Sequence, residues 1–311
     1  MNLTSEKSKP FLGYFFAFVA IFIWGITFIS TKSLLKDFSS LEILFYRFIL
    51  AYLSLWIIYP KKEKFIFKDN ILFLLAGLTG VTLYQFTENV AISYTSASNV
   101  SIIVSSCPLF TAIISQIFLK EKHISLYFII GFIVTITGIA LVSINGTKSF
   151  SLNPKGDFLA LLASISWGFY SLFISILNKR HYSSIGSTRR IFFFAIILMI
   201  PLILVGSFQN QGSSLYFNWN FSNNYKRFLN VNNILNFVFL GVFASGICFS
   251  IWKIACNNIG TVKTTSGLYL IPVVTIIFAF FVLDEKITSL NAIGSVITIT
   301  GLFISGYKKK N

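Results

Sequence analysis

The chain has 311 residues, of which 55% are apolar, 17% aromatic and only 11% charged, against roughly 25% charged in an ordinary soluble domain. Together with a mean hydropathy of +0.77, this excludes a water-soluble enzyme, a disordered chain and a collagen-like or coiled-coil rod. The formal charge of +15 sits in short clusters between apolar runs, a pattern of membrane topology and not of nucleic-acid binding.

What remains is an all-α membrane protein. About 20 apolar residues cross a hydrocarbon core roughly 30 Å thick. In chain order, the apolar runs predict transmembrane helices over 11–31, 41–59, 71–92, 98–119, 124–144, 157–177, 190–207, 234–255, 261–283 and 288–307. The first run follows Lys7 and Lys9 but lacks an A-x-A-like cleavage site and is too long for a signal peptide, so it reads as a span. The connection from Phe208 to Asn233 is rich in Asn and Ser, with a short interfacial helix expected through Leu215 to Trp219. Cys107, Cys248 and Cys256 lie in or at the ends of apolar runs as small core residues, so neither a disulfide, a metal nor a cofactor is expected. Lys and Arg number 16 on the side of the N-terminus and 7 on the other. The excess places both termini in the cytoplasm of a multi-pass cell-membrane protein.

The two halves repeat each other. Pro108 stands inside a run that closes at Leu119, Lys120, Glu121, Lys122, and Pro272 inside one that closes at Leu283, Asp284, Glu285, Lys286, at a constant offset of 164 residues. Gly77 and Ala91 fall on Gly241 and Ala255 at the same offset, and Gly131 and Gly138 fall on Gly294 and Gly301 one residue short of it. Trp24-Gly25 and Trp167-Gly168 open the halves. Residues 1–145 and 156–307 thus form two five-helix repeats, and an odd number of spans makes the second inverted. Inverted repeats are the physical basis of alternating access; the plain alternative is duplication as a folding economy.

Trp24-Gly25 with Lys32, Arg47, the Asn89-Val90-Ala91 to Ser98-Asn99 stretch, Pro108, Leu119 to Lys122, Gly131 and Gly138 carry a resemblance. In the second half it rests on Gly156-Asp157, Trp167, Pro272, Leu283 to Lys286, Gly294 and Gly301. With these motifs in this order, the chain resembles the drug/metabolite transporter superfamily, specifically its EamA-type ten-helix members. The resemblance implies export or exchange of small metabolites such as amino acids, through a central cavity lined by both halves. Glu88 departs from the neutral residue expected there.

Several polar groups fall within the spans. Tyr84, Gln85, Glu88 and Asn89 share one helical arc of about 140°. A carboxylate at that depth must face the bundle. Glu88 is either a proton-coupling site or contact to a substrate amine, or the structural partner of Lys253 or Arg47. Lys253 falls on Asn89 at the repeat offset, and either faces the cavity or reaches back to the interface. Arg47 pairs with nearby Glu42 or clamps substrate. Ser98, Ser101 and Ser105 form a small polar stripe ahead of Pro108, matched by Thr265 and Tyr269 ahead of Pro272; the stripe serves helix packing or ligand contact, and the prolines are helix breaks. Trp24 with Thr27, and Trp167 with Tyr170 and Ser171, either line the cavity or anchor at the headgroups. The paired glycines of spans 5 and 10 imply close packing, within the bundle or at a homodimer seam.

The sequence therefore predicts a non-enzymatic transporter of a small-molecule substrate in the lipid bilayer. Two halves rock about a cavity bounded by spans 3, 4, 8 and 9, with spans 1 and 6 as gates. An exchanger of nucleotide sugars or other anionic metabolites would want several cations in that cavity. An intramembrane enzyme would want a paired catalytic set, yet His123 and His181 fall in connections, and no HExxH or GxSxG motif occurs.

Overall fold

The computed structural model describes residues 9–63, 66–121, 124–143, 153–180, 182–218, 225–283 and 289–306, and every regular element among them is helical. Local signals set the helix starts. Pro10 opens α1 (Pro10–Leu34) at a position where its missing N–H costs nothing. Ser39 and Glu42 form a reciprocal capping box at the head of α2 (Ser40–Ile58). After α3 (Phe67–Tyr94), Ser96 caps α4 (Ala97–Leu119). Following α5 (Leu126–Ser143), Asn153 caps α6 (Pro154–Asn178) and Ser183 caps α7 (Ser184–Gly206). A single turn, Lys226–Leu229, leads to α8 (Val231–Ile259), α9 (Thr261–Val282) and α10 (Ser289–Gly306).

Eight of these helices are long and apolar enough to cross a membrane; the apolar stretches of α5 and α10 are shorter, Leu126–Gly138 and Ala292–Ser305. Over Leu215 to Asn218, the described part of the interfacial helix expected at 215–219, no helix is formed. Leu215 to Asn218 run as a turn and extended chain whose Phe217 is buried, because this segment is pulled down onto the head of α2. Of the residues singled out in the sequence, Lys7, Lys64, Lys122, His123, Lys148, His181, Trp219, Asp284, Glu285, Lys286 and Lys308 to Lys310 lie outside the described residues.

Packing exchanges partners between the halves. Helix α1 lies on α8 and α9, while α6 lies on α3 and α4; α2 packs on α8 and α7 on α3. The close approaches recur in matched pairs. Gly25 sits flat against Val274 as Gly168 does against Phe110, and Gly77 meets Ala195 as Gly241 meets Leu50. A side chain at any of these glycines would strike the neighbouring helix. Thr275 donates to the Gly25 carbonyl at 2.8 Å and its counterpart Thr111 reaches Ser171 at 3.3 Å.

Helices α5 and α10 pack along each other outside the rest of the bundle. Gly131 meets the Ser305 backbone, Gly138 meets Thr298 and Gly301 meets Thr135. The glycine pairs thus serve a seam within the chain. In the middle of α3 and α8 the backbone widens to i→i+5 turns, over Leu78–Leu83 and Phe239–Ile247. Such wide turns reset the phase of the helix beyond them, and here they aim the succeeding segments, Tyr84–Tyr94 and Cys248–Ile259, at the bundle centre.

Candidate functional site

The polar arc of α3 faces a narrow cavity of about 20 Å³, room for about one water as the side chains stand. Its polar wall is Arg47 from α2, Gln85 and Glu88 from α3, and Thr27 from α1. Trp24, Phe28, Tyr84 and Trp167 form an aromatic wall, and Leu268 and Ile271 of α9 an aliphatic one. The expected boundary of spans 3, 4, 8 and 9 is therefore corrected: α1, α2, α3, α6 and α9 line this cavity. The reason is the exchanged packing, which carries α1 and α6 through the centre.

Arg47 is 1% exposed. Its Nε donates to Ser245 Oγ of α8 at 2.6 Å and its Nη1 to Gln85 Oε1 at 2.6 Å. Both partners are neutral. The expected pair with Glu42 is not formed. Five residues at 100° each leave the two side chains about 140° apart around the helix, and Glu42 instead takes Arg227, at 2.7 and 3.0 Å. Glu88 is 3% exposed. Tyr84 lies one turn back, near enough for its hydroxyl to act on the carboxylate, and Arg47 acts on its charge from beyond ion-pair distance. Among the described residues, neither Arg47 nor Glu88 stands in an ion pair. A cation and an anion thus share one cavity without neutralising each other by contact, and a low-dielectric surrounding makes each a strong attractor for a complementary group.

Trp24 and Trp167 stand in the bundle centre, not at an interface, with ring centroids 5.5 Å apart and edge to face. Trp252 lies 4.9 Å from Trp24, Phe249 5.4 Å from Trp24 and Tyr170 4.9 Å from Trp167. Together they form an aromatic partition. The Trp24 indole N–H donates to the Ala244 carbonyl at 2.8 Å, within the wide turns of α8. The Trp167 indole N–H is buried and has no partner among the described residues, so a buried donor stands ready in a cavity-lining side chain.

The remaining predicted residues lie elsewhere. Asn89 is fully buried and ties α3 to α2, its amide 3.4 Å from the Ser40 carbonyl. Ser98 is buried near the head of α4; Ser101 and Ser105 donate to carbonyls three residues back at 2.7 and 2.6 Å, where α4 packs on α6 and α9. Thr265 donates to the Thr261 carbonyl at 2.8 Å, and Tyr269 is buried in a tight i→i+3 turn, Gly267–Leu270. The helix breaks precede both prolines: α4 is interrupted at Ser105 and Ser106, just before Pro108, and the tight turn of α9 comes just before Pro272. Lys253 is 3% exposed and stands in no ion pair with Glu88; Glu63, in the α2–α3 connection, is the acid that acts on it. Phe28, Leu268 and Ile271 were absent from the sequence-derived site, and Arg47 and Thr27 entered it only as alternatives. Arg47 carried a signal as a cation within a span, and Thr27 as the polar neighbour of Trp24 one turn on.

A bundle of long apolar helices that encloses charged groups around a cavity is the architecture of a multi-pass membrane transporter. The chain belongs to the EamA-like transporter family, whose model matches residues 11–144 and again 154–307. An uncharacterized transporter of Archaeoglobus fulgidus is 27% identical over 94% of this chain and 96% of its own. A probable terminal-alkyne amino-acid exporter of Streptantibioticus cattleyicolor is 23% identical over 76% of this chain and 73% of its own. Among solved structures, one crystal structure superposes with a TM-score of 0.69 at 14% identity, covering 94% of this chain and 96% of the other. The family and these relatives are transporters, not enzymes.

Proposed function

We propose that this protein exports amino acids or closely related small solutes across the cell membrane by alternating access. The observation that carries the reading is the cavity itself. Arg47 supplies a forked donor for a carboxylate, Glu88 an acceptor for an ammonium or a coupling proton, and Trp24, Phe28, Tyr84 and Trp167 a surface for an apolar side chain. One cation in the cavity wall suits a monocarboxylate better than a nucleotide sugar, whose diphosphate carries more negative charge. The export direction rests on the likeness to the amino-acid exporter.

In this reading α5 and α10 also cross the bilayer, giving ten spans in two inverted repeats, residues 1–145 and 156–307. The matched contacts of Gly25 with Val274 and Gly168 with Phe110 support it. Both termini are cytoplasmic. Rocking of the halves about the aromatic partition exposes the cavity to one side and then the other.

The test is transport by the purified protein in proteoliposomes. Glu88→Gln abolishes amino-acid uptake driven by a pH gradient while exchange driven by amino acid alone persists. Gradient-driven uptake equal to wild type removes Glu88 from coupling. Absence of both binding and flux for every amino acid in the panel rejects the substrate class.

A further inference from the structure

Helix α8 carries three side chains at four-residue intervals that divide the bundle centre into levels. Ser245 holds Arg47 at the cavity. Phe249, one turn on, packs in the aromatic partition against Trp24 and Trp167. Lys253 comes after a second turn, about 12 Å along the axis from Ser245 and about 80° around it. Phe249 and Lys253 stay on one face with Cys256, and all three are buried. Along α8, the Ser245 that holds Arg47 of α2 and Lys253 therefore stand on opposite sides of Phe249.

The setting of Lys253 is unusual for a structural cation. Its ammonium makes no hydrogen bond or ion pair among the described residues, although the side chain is buried. Glu63 is near enough to act on its charge, but its carboxylate is engaged by the Ser183 hydroxyl at 2.5 Å. Burying a cation without a contact partner costs several kcal/mol, and of the acids only Glu63, beyond ion-pair distance, acts to offset it. Cys256, three residues along α8, is the other side chain that acts on Lys253.

We infer that Lys253 is a second anion-binding station, which receives the carboxylate of the solute on the far side of the aromatic partition after Arg47 releases it. The inference rests on the proposed transport of carboxylate solutes. Two stations of like charge separated by rings let a carboxylate cross the midplane by exchange between cations, so that it is never left in the apolar centre without a counter-charge. The apolar side chain of the solute meets rings throughout the passage.

The experiment compares wild type, Lys253→Met and Lys253→Arg as full-length protein in proteoliposomes, with labelled L-phenylalanine, L-leucine and L-threonine as probes. Lys253→Met is expected to lower counterflow at least tenfold while leaving equilibrium binding, read by tryptophan fluorescence, within twofold. Its melting temperature stays at or above that of wild type, because an unpartnered buried charge has been removed. Lys253→Arg restores most of the flux. Unchanged flux in Lys253→Met overturns the station, as does a fall of its melting temperature by more than a few degrees with no rescue by Arg, since that is the signature of a structural cation. A wild-type protein that neither binds nor moves any of the probes overturns the cavity reading and the station together.

Discussion

Arg47 shows what a single side chain contributes that its neighbours in sequence do not reveal. Its two hydrogen-bond partners come from α3 and from α8, the second 198 residues away. Both are neutral oxygens, so the guanidinium keeps its positive charge for a ligand. Charge-assisted hydrogen bonds contribute about 1.5–3 kcal/mol, and about 1.4 kcal/mol is tenfold in affinity. Arg47→Lys, which keeps charge but loses the planar fork, is expected to weaken amino-acid binding about tenfold, and Arg47→Gln about a hundredfold, by fluorescence titration. Equal affinities in all three proteins remove Arg47 from the site. The cation was visible in the sequence as a charge within a span, but its destination was not. Glu42 looked available, and the helical phase that separates the two is overlooked when distance is counted in residues. The importance of Glu88 was legible because a carboxylate so deep among apolar residues has few other uses.

At the level of elements, the two ends of the bundle are closed by matching devices of different chemistry. At the head of α2, Glu42 accepts from Ser39 N–H at 2.9 Å, from Asn218 N–H at 3.3 Å and from both terminal nitrogens of Arg227, clasping the α7–α8 connection. At the tail of α2, Arg189 near the head of α7 clasps the α2–α3 connection: it donates to the Tyr59 and Lys61 carbonyls and lies 3.7 Å over the Trp56 ring. Arg190 adds a bond to the Glu63 carbonyl at 2.8 Å. Glu42 is 1% exposed and Arg227 14%. Breaking a buried pair costs roughly 3–5 kcal/mol, and the residual exposure of Arg227 and its bond to the Asp37 carbonyl bring the expectation to about 2 kcal/mol. Glu42→Gln should accordingly lower the melting temperature by several degrees and speed labelling of a cysteine placed at Ser214. Unaltered stability and labelling would mean that this clasp bears no load. Helix ends were read less well than helix middles for the same reason. The sequence reading began α7 at 190 and α3 at 71, yet they start at Ser184 and Phe67. Hydropathy detects the part of a helix in lipid, whereas these first turns are polar and held by a serine cap or by side chains such as Asp69 and Asn70. The wide turns in α3 and α8 had no signature beyond their glycines, because a change of phase depends on which helix lies opposite.

For the whole molecule, orientation can be measured against a quiet background, since Cys107, Cys248 and Cys256 are all buried. Lys155→Cys at the exposed head of α6 should react with a membrane-impermeant maleimide in intact cells, and Lys61→Cys only after permeabilisation. The reverse pattern would turn the protein over in the membrane. Partner exchange between the halves sets a further condition on how such a chain can exist at all. A single quintet made alone would leave its opening helix bare along the faces that α8 and α9 cover for α1, and its buried polar arc would meet lipid. Each half thus depends on the other to cover it. Joining the twins in one polypeptide fixes their ratio at one to one and keeps each within reach of the other from synthesis onward, which relieves both of a search through the bilayer.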